Sequence, residues 1–521
     1  MKPFLAFTLF VATCILAAVS SLWATKPNIV LILADDMGLG DVSCYGTGGL
    51  VKTPHLDRLA YEGRRFLDAH TPSGVCTPTR YGVLTGRYAW RTRLKSRVLQ
   101  GYSSPLIAPE RETVASLLRT EGYATGIIGK WHLGLGWQKK DGTSLPDAPG
   151  HATPKDIDIT RPVTAGPTTV GFDRWFGCSA SWDMPPYGWF ENDRLPRAAH
   201  FVNATKQNGW QTRSGLRDPK VNLIDALPAF AKRAREDILS FAKGDKPFFL
   251  YIPLTSPHSP VVPNMPFQGK TNIGSYGDFV VETDWVVGQV MKAVDDAKIK
   301  DDTLFIFTTD NGAAQFSRNT KGGKTHLSSG PYRGRKRDNW EGGHRVPFIA
   351  RWPGVVEPGT VSSTVLCLTD ITRTLVSAAG GEITRPDMAE DSFSFLSALK
   401  DNGPGTKTSG NLLRRETTVH HGSSGEFAIR VGDWVYLHHQ GSGGNKYPKD
   451  KKGAWAHPGQ LYDLRKDPGQ TTNLYAKEPE RVKSMLSDLV KIIREGRSFP
   501  GKPQKNDPVE EWKQIEGWAD F

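Results

Sequence analysis

Four uninterrupted apolar runs punctuate the chain. Asn28–Ala34 (NIVLILA) is followed at once by Asp35-Asp36; Phe248–Ile252 leads to Ser256-Pro257-His258; Leu304–Phe307 leads to Thr308-Thr309-Asp310-Asn311; Val346–Ala350 is the fourth. Short runs without alternation predict strands buried on both faces of a parallel sheet. Between them the pattern changes to a helical period, in Thr113–Glu121, Ala226–Ala242 and Tyr276–Ala297, the last with Phe279, Val286, Val290 and Val294 along one stripe. Strand–helix alternation predicts an α/β fold with a large, mostly parallel central sheet flanked by helices. Such sheets bind ligands beyond the carboxyl ends of their strands. Those ends carry Asp35, Asp36, His258, Asp310 and Asn311.

The pattern shifts twice more. Lys139–Thr169 is rich in Pro, Asp, Thr and Gly and reads as a long surface loop, and Asp401–Gly410 reads as a linker. Beyond it, Phe427–Val431 and Trp434–His438 around Gly432-Asp433 read as a β-hairpin, and Arg481–Arg494 as a helix. These predict a smaller C-terminal α+β domain with an antiparallel sheet, residues 411–521, after a catalytic domain of residues 25–405. At the start, Lys2 precedes an apolar stretch, Phe4–Val19, with small residues up to Ala24. This is the pattern of a secretory signal peptide, residues 1–24, so the protein is expected to be exported, periplasmic or secreted, with no stable membrane span.

Composition narrows the function classes only a little. With 10% aromatic and 23% charged residues the chain can build a core and is not a disordered polymer. Five cysteines in 521 residues are too few for a disulfide scaffold, and none has zinc-module spacing. The net charge of +12 suits any anionic partner. Basic residues are scattered and no nucleic-acid module is present, so no nucleic-acid partner is expected.

The chemistry is carried by residues 76–87, Cys-Thr-Pro-Thr-Arg-Tyr-Gly-Val-Leu-Thr-Gly-Arg. Pro78 suits the first turn of a helix, which puts position 76 at a helix N-terminus whose N–H groups favour an anion. Arg80, one turn on, shares its face. The segment resembles the C-x-P-x-R…L-T-G-R signature of the type I sulfatases of the alkaline phosphatase superfamily. The resemblance continues in Asp35-Asp36-Met37-Gly38, Gly129-Lys130-Trp131-His132, Ser256-Pro257-His258, Thr309-Asp310-Asn311-Gly312, Lys336…Trp340-Glu341-Gly342-Gly343 and Leu461-Tyr462-Asp463-Leu464. Phe172–Gly177 and Tyr276-Gly277-Asp278 make it most similar to the arylsulfatase A and N-acetylgalactosamine-6-sulfatase branch.

That resemblance implies an alkaline phosphatase-like fold and a sulfuric ester hydrolase. It implies that a formylglycine-generating or equivalent maturation enzyme oxidises Cys76 to formylglycine, an aldehyde. One hydroxyl of the hydrated aldehyde would attack sulfur, and the other would lose its proton to expel sulfate, an exit that a plain Ser or Cys lacks. Asp35, Asp36, Asp310 and Asn311, with the residue derived from Cys76, would bind one Ca²⁺, or Mg²⁺ in its place, because the donors are hard oxygens. Asn311, where the phosphatase branch often has His, argues against a two-zinc site. Arg80 would orient the nucleophile, Lys130 and Lys336 would hold sulfate oxygens, His132 would take a proton, His258 would protonate the leaving alcohol, and Ser181 would touch sulfate. One departure is Thr79, where the family commonly has Ser.

The substrate that the resemblance implies is a sulfated small molecule or glycan, a sulfated carbohydrate before the others. A phosphonate or phosphodiester hydrolase of the same superfamily is the alternative, and a sulfated-glycan-binding protein with unmodified Cys76 is a third reading. Arg333, Arg335, Arg337, Arg345 and Arg351 flank Lys336. They are either a solvated basic face or a pocket entrance contacting further anionic groups of a glycan.

Overall fold

The computed structural model describes residues 26–146, 153–196, 199–207, 210–315, 317–320, 322–400, 415–508 and 512–515. The signal segment and the Asp401–Gly410 linker lie outside the described residues.

The apolar runs pair with one another as the centre of a nine-stranded sheet. Asn28–Asp35 lies between Thr303–Thr309 and Phe248–Pro257, parallel to both; Ala124–Lys130 and then Arg174–Cys178 continue the parallel order. These five strands point the same way, so Asp35, Lys130, Pro257 and Thr309 end on one side. Phe348–Arg351, from the fourth run, runs antiparallel to Thr303–Thr309 and to Arg64–Phe66. This corrects the expectation of another parallel strand: an apolar run reports burial on both faces but carries no direction.

Alternate residues of the central strand feed two cores. Ile29, Leu31 and Leu33 pack with residues of helices Cys76–Thr85, Val114–Thr120 and Asp370–Ala378 on one face. Val30, Ile32 and Ala34 pack with helices Pro54–Tyr61, Ala226–Phe241 and Ser275–Asp296 on the other. All six side chains are 0% exposed. At about 1.5–3 kcal/mol for each fully buried Val, Leu or Ile, this strand alone anchors both layers. The described residues of Lys139–Thr169 are mostly loop, closing in a 3-10 turn at Pro167–Thr169, but they are not wholly at the surface: Leu145, Ile157, Ile159 and Val163 are buried in the first core.

The C-terminal hairpin belongs to a four-stranded antiparallel sheet, Thr417–His421, Phe427–Val431, Trp434–Leu437 and Gln460–Asp463. Helix Pro479–Arg494 covers one face through Val482, Met485, Leu486, Leu489, Val490 and Ile493, which pack with Val419, Phe427 and Ile429. Trp340, from the larger part of the chain, packs with Val435 and Tyr462 on the other face. Buried charge also links the two parts: the Arg415 guanidinium donates to both oxygens of Asp370 at 2.6 and 2.8 Å, and both side chains are buried. Truncating one partner of such a pair leaves a buried charge uncompensated. Arg415→Ala is therefore expected to lower stability by about 3–5 kcal/mol, measured by chemical denaturation. A change under about 1 kcal/mol, as for a surface pair, would show the link to be dispensable.

Candidate active site

Strand ends and one helix build the site. Cys76 is the first residue of helix Cys76–Thr85, after Val75 in an extended conformation with no side-chain cap, and the whole helix is buried. Arg80 reaches from its next turn to the end of the sheet. Its Nε and Nη2 donate to Asp310 Oδ2 at 2.9 and 2.7 Å, and its Nη1 donates to the Lys130 carbonyl at 3.1 Å. Lys130 Nζ donates to Asp35 Oδ2 at 2.7 Å. Asn311 Nδ2 donates to Asp36 Oδ1 at 2.8 Å, and Lys336 Nζ lies 2.7 and 2.9 Å from the two oxygens of Asp36. Ligand-type atoms of Asp35, Asp36, Cys76 and His258 all lie within 4.8 Å of one another.

Backbone strain holds two of these groups in place. Asp36 (φ +69°) and His132 (φ +57°) lie in the left-handed region just past the ends of their strands. Non-glycine residues held there cost roughly 1–3 kcal/mol each and persist only where surrounding contacts fix them. The Asp36 loop is fixed by Tyr276, whose hydroxyl donates to Asp41 Oδ2 at 2.6 Å and contacts the Asp36 carbonyl at 3.3 Å. Before Lys130, Gly129 (φ +130°) lets the Pro253 carbonyl approach to within 2.0 Å of where a Cβ would stand. A side chain there would push apart the two strands that deliver Lys130 and His258.

The titrating groups are strongly perturbed. Burial alone would raise Asp35, but Lys130, His258, Arg80 and Lys336 hold its carboxyl well below the usual range. Asp310 is pushed up to about 7 by burial and by the charge of Asp35, against Arg80 and Lys130. Two neighbouring acids are thus driven in opposite directions, because Asp35 is paired directly with Lys130 while Asp310 also feels the charge of Asp35. Burial pushes the Cys76 thiol up to about 12, although Lys130 and Lys336 pull it down. Burial, Lys130 and Arg80 hold His132 well below its ordinary value, so it is neutral. Its Nε2 lies 2.9 Å from the Leu99 carbonyl, which fixes the proton there and leaves Nδ1 as a buried lone pair with no partner among the described residues. His258 is likewise lowered by burial and by Lys336; its Nδ1 donates to the Ser259 carbonyl at 2.6 Å, and Nε2 faces Asp36 Oδ2 at 3.8 Å.

Asp36, Cys76, His132, His258 and Lys336 line a cavity of about 640 Å³. Asp35, Arg80, Lys130, Asp310 and Asn311 lie one contact deeper. The structure thus brings together ten of the eleven candidate residues. Ser181 is buried, three residues past the Arg174–Cys178 strand, and its Oγ has no partner among the described residues, but it does not line the cavity. The donor set fits a hard divalent cation. Asp35 Oδ1 and Asn311 Oδ1 are buried oxygens with no partner among the described residues, beside the carboxylates of Asp36 and Asp310, so oxygen donors outnumber the single thiol, Cys76, and the single imidazole, His258, close to them.

The basic cluster around Lys336 divides. Arg335 and Arg337 line the cavity. Arg333 stacks on Trp340 at 3.7 Å, Arg345 pairs with Glu341 and Asp68, and Arg351 is fully buried against Glu62. For these three neither reading, solvated face nor pocket entrance, describes their contacts: they hold the fold. The sequence reading missed Gln100, Asp183, Arg97 and Arg213, which also line the cavity. Asp183 could have been found, because it closely follows the strand Arg174–Cys178 and so lies beyond a strand end like the other site acids. Nothing in the sequence marks Gln100.

Comparison with known proteins gives this geometry its context. The family model described as Sulfatase matches residues 27–381. An N-acetylgalactosamine-6-O-sulfatase of Bacteroides thetaiotaomicron is 34% identical over 90% of this chain and 93% of its own. Human arylsulfatase A is 33% identical over 87% of this chain and 84% of its own. A solved sulfatase structure from the metabolism of glycosaminoglycans by Bacteroides thetaiotaomicron superposes with a TM-score of 0.74 at 30% identity, over 90% of this chain and 99% of that one. With a matching family model over most of its length and relatives above 30% identity, this chain belongs to the sulfatase family and is a sulfatase, an enzyme of sulfate ester hydrolysis.

Proposed function

We propose that the protein is an exported hydrolase of sulfated carbohydrates that uses a formylglycine made from Cys76 as its nucleophile. The observation that carries the mechanism is the state of Cys76. It sits at a helix N-terminus within the influence of the buried Lys130 and the half-buried Lys336, yet burial pushes its thiol up to about 12. A thiol held protonated is a poor nucleophile. An arrangement that gathers cations around residue 76 without ionising it makes sense when the working group is an oxygen on that carbon.

In the net reaction the S–O bond of the ester breaks, water supplies the new oxygen on sulfur, and the alcohol leaves with a proton. Lys130 and Lys336, held charged by Asp35 and Asp36 against the cost of burial, are placed to neutralise the sulfate oxygens. His132 can accept a proton at Nδ1, since its other nitrogen is tied to Leu99. His258 presents Nε2 to the cavity side, where a proton can pass to the leaving oxygen. Arg80 keeps Asp310 in position. Ca²⁺, or Mg²⁺, would be held by Asp35, Asp36, Asp310 and Asn311 and would supply positive charge beside residue 76.

The relatives support the substrate class, one of them being named for a sulfated amino sugar. The experiment is sulfate release from a panel of defined sulfated mono- and oligosaccharides by mature protein. Turnover of at least one supports the reading, and turnover of aryl sulfates alone overturns the carbohydrate assignment.

Arg335 and Arg337 add a salt dependence. Exposed attraction is screened over about 8–10 Å at ordinary ionic strength. For a multiply charged oligosaccharide, kcat/KM is expected to fall as salt rises, more steeply than for a small aryl sulfate, and Arg337→Ala should flatten that slope. Equal slopes in the parent protein would leave both arginines without a role in substrate capture.

A further inference from the structure

A second cavity, of about 730 Å³, shares no lining residue with the one that holds Cys76. Leu50, Phe267 and Ile273 give it an apolar lining. Three lysines stand around it, Lys52, Lys270 and Lys324, and no Asp or Glu is among its described lining residues. All three lysines are exposed, and none has an ion pair or a side-chain hydrogen bond to another described residue. Other lysines of this chain do pair, as Lys26 with Glu121, Lys292 with Asp296 and Lys300 with Glu62. Unpaired cations of one sign around an apolar concavity focus a positive potential into it.

The walls of this groove are held in shape. Lys270 lies in a loop whose Gly269 and Thr271 backbone N–H groups both donate to the buried Asp278 carboxylate at 2.8 Å. Phe267 packs on Trp285 with ring centroids 5.5 Å apart. Lys324 is fixed on a hairpin: the Thr320 N–H donates to its carbonyl at 2.8 Å, and its own N–H donates to Thr320 Oγ1 at 3.0 Å. The Leu50 N–H donates to Nδ1 of the buried His326 at 2.8 Å, which ties the remaining wall to the same hairpin. A preformed site loses little ordering entropy when it binds.

The groove is within reach of the catalytic cavity. Ser259 lines the cavity and Pro266 lines the groove. The chain between them, fully extended, spans at most about 25 Å, a distance that a saccharide chain of several units covers. The chemistry selects the occupant: sugar rings present C–H faces to apolar side chains, and their sulfate groups are fixed anions that suit unpaired ammonium groups. We propose that this groove is a second, non-catalytic site that binds a sulfated polysaccharide, holding one stretch of the polymer while another enters the catalytic cavity; it rests on the carbohydrate substrate proposed above. Tethering of this kind raises the local concentration of substrate and lowers KM for the polymer without touching kcat.

The test titrates full-length mature protein with two sulfated polysaccharides, chondroitin sulfate and κ-carrageenan, with their desulfated forms and poly-glutamate as controls. The combined variant Lys52→Ala, Lys270→Ala, Lys324→Ala is expected to bind at least one of the sulfated chains about 10-fold more weakly than the parent. Its kcat/KM for 4-nitrophenyl sulfate should stay within about twofold, since the three lysines lie outside the catalytic cavity. Lys270→Glu alone should weaken binding about 5-fold and gives an independent reading. On a polysaccharide that is turned over, KM should rise by the same factor with kcat unchanged, and a fall in kcat alone would overturn the tether. Binding by the variants within about twofold of the parent overturns the groove. So does a parent that binds the desulfated chains or poly-glutamate as tightly as the sulfated ones, or one that binds neither sulfated chain while still releasing sulfate from small substrates. Binding is read without turnover, so a parent that binds a sulfated chain through these lysines yet releases sulfate from no saccharide supports the groove and overturns the function proposed above.

Discussion

Cys76→Ala is expected to lower sulfate release by on the order of 10⁴-fold or more, the scale seen when a nucleophile is removed from a working site. The fold should survive. Cys76 is a small buried side chain, and removing its sulfur should cost only about 1 kcal/mol. A melting curve close to the parent's would separate lost chemistry from lost structure. Cys76→Ser should be nearly as poor, or trap at most one sulfate per molecule, because a single hydroxyl offers no internal route for expelling the sulfate. A variant at this position that keeps more than a few per cent of parent activity would remove residue 76 from the mechanism.

The second large effect concerns the acidic cluster. Chelation is expected to reduce turnover by at least about 100-fold, and Ca²⁺ or Mg²⁺ should restore it better than Zn²⁺, because Asp35 Oδ1 and Asn311 Oδ1, which have no partner among the described residues, are carboxylate and amide oxygens. Asp310→Ala should fail to retain metal in elemental analysis. It should also destabilise the protein, by about 3–5 kcal/mol, because Arg80 would be left as a buried cation without the carboxylate oxygen that takes two of its hydrogen bonds. Recovery with zinc alone would contradict the hard-cation assignment and favour a phosphatase-like site.

Much of the site was legible because buried parallel strands leave a strong trace. Asn28–Asp35 and Thr303–Thr309 read as continuous apolar runs, and the polar residues that stop them, Asp35, Asp36, Asp310 and Asn311, are the ones the topology gathers. Pro78 marked the start of the helix that carries Cys76 and Arg80. Direction was not legible, since Phe348–Arg351 is as apolar as its neighbours but runs the other way. The fate of the arginines was not legible either. Arg351 is neutralised by Glu62, 289 residues away in sequence, and nothing local distinguishes it from Arg337 at the cavity wall. Pairings across that distance depend on tertiary packing. The same holds for His132, whose free nitrogen is chosen by the carbonyl of Leu99 in a loop with no motif, and for Gln100 beside it.

The central claim is that an aldehyde made from Cys76 is the working group. It is tested most directly by the mass of the tryptic peptide Phe66–Arg80 from a preparation that releases sulfate. Conversion of the thiol to the aldehyde predicts a peptide lighter by about 18 Da, in a fraction that rises in proportion to specific activity across preparations. An active preparation in which the peptide carries only the unmodified cysteine would contradict it.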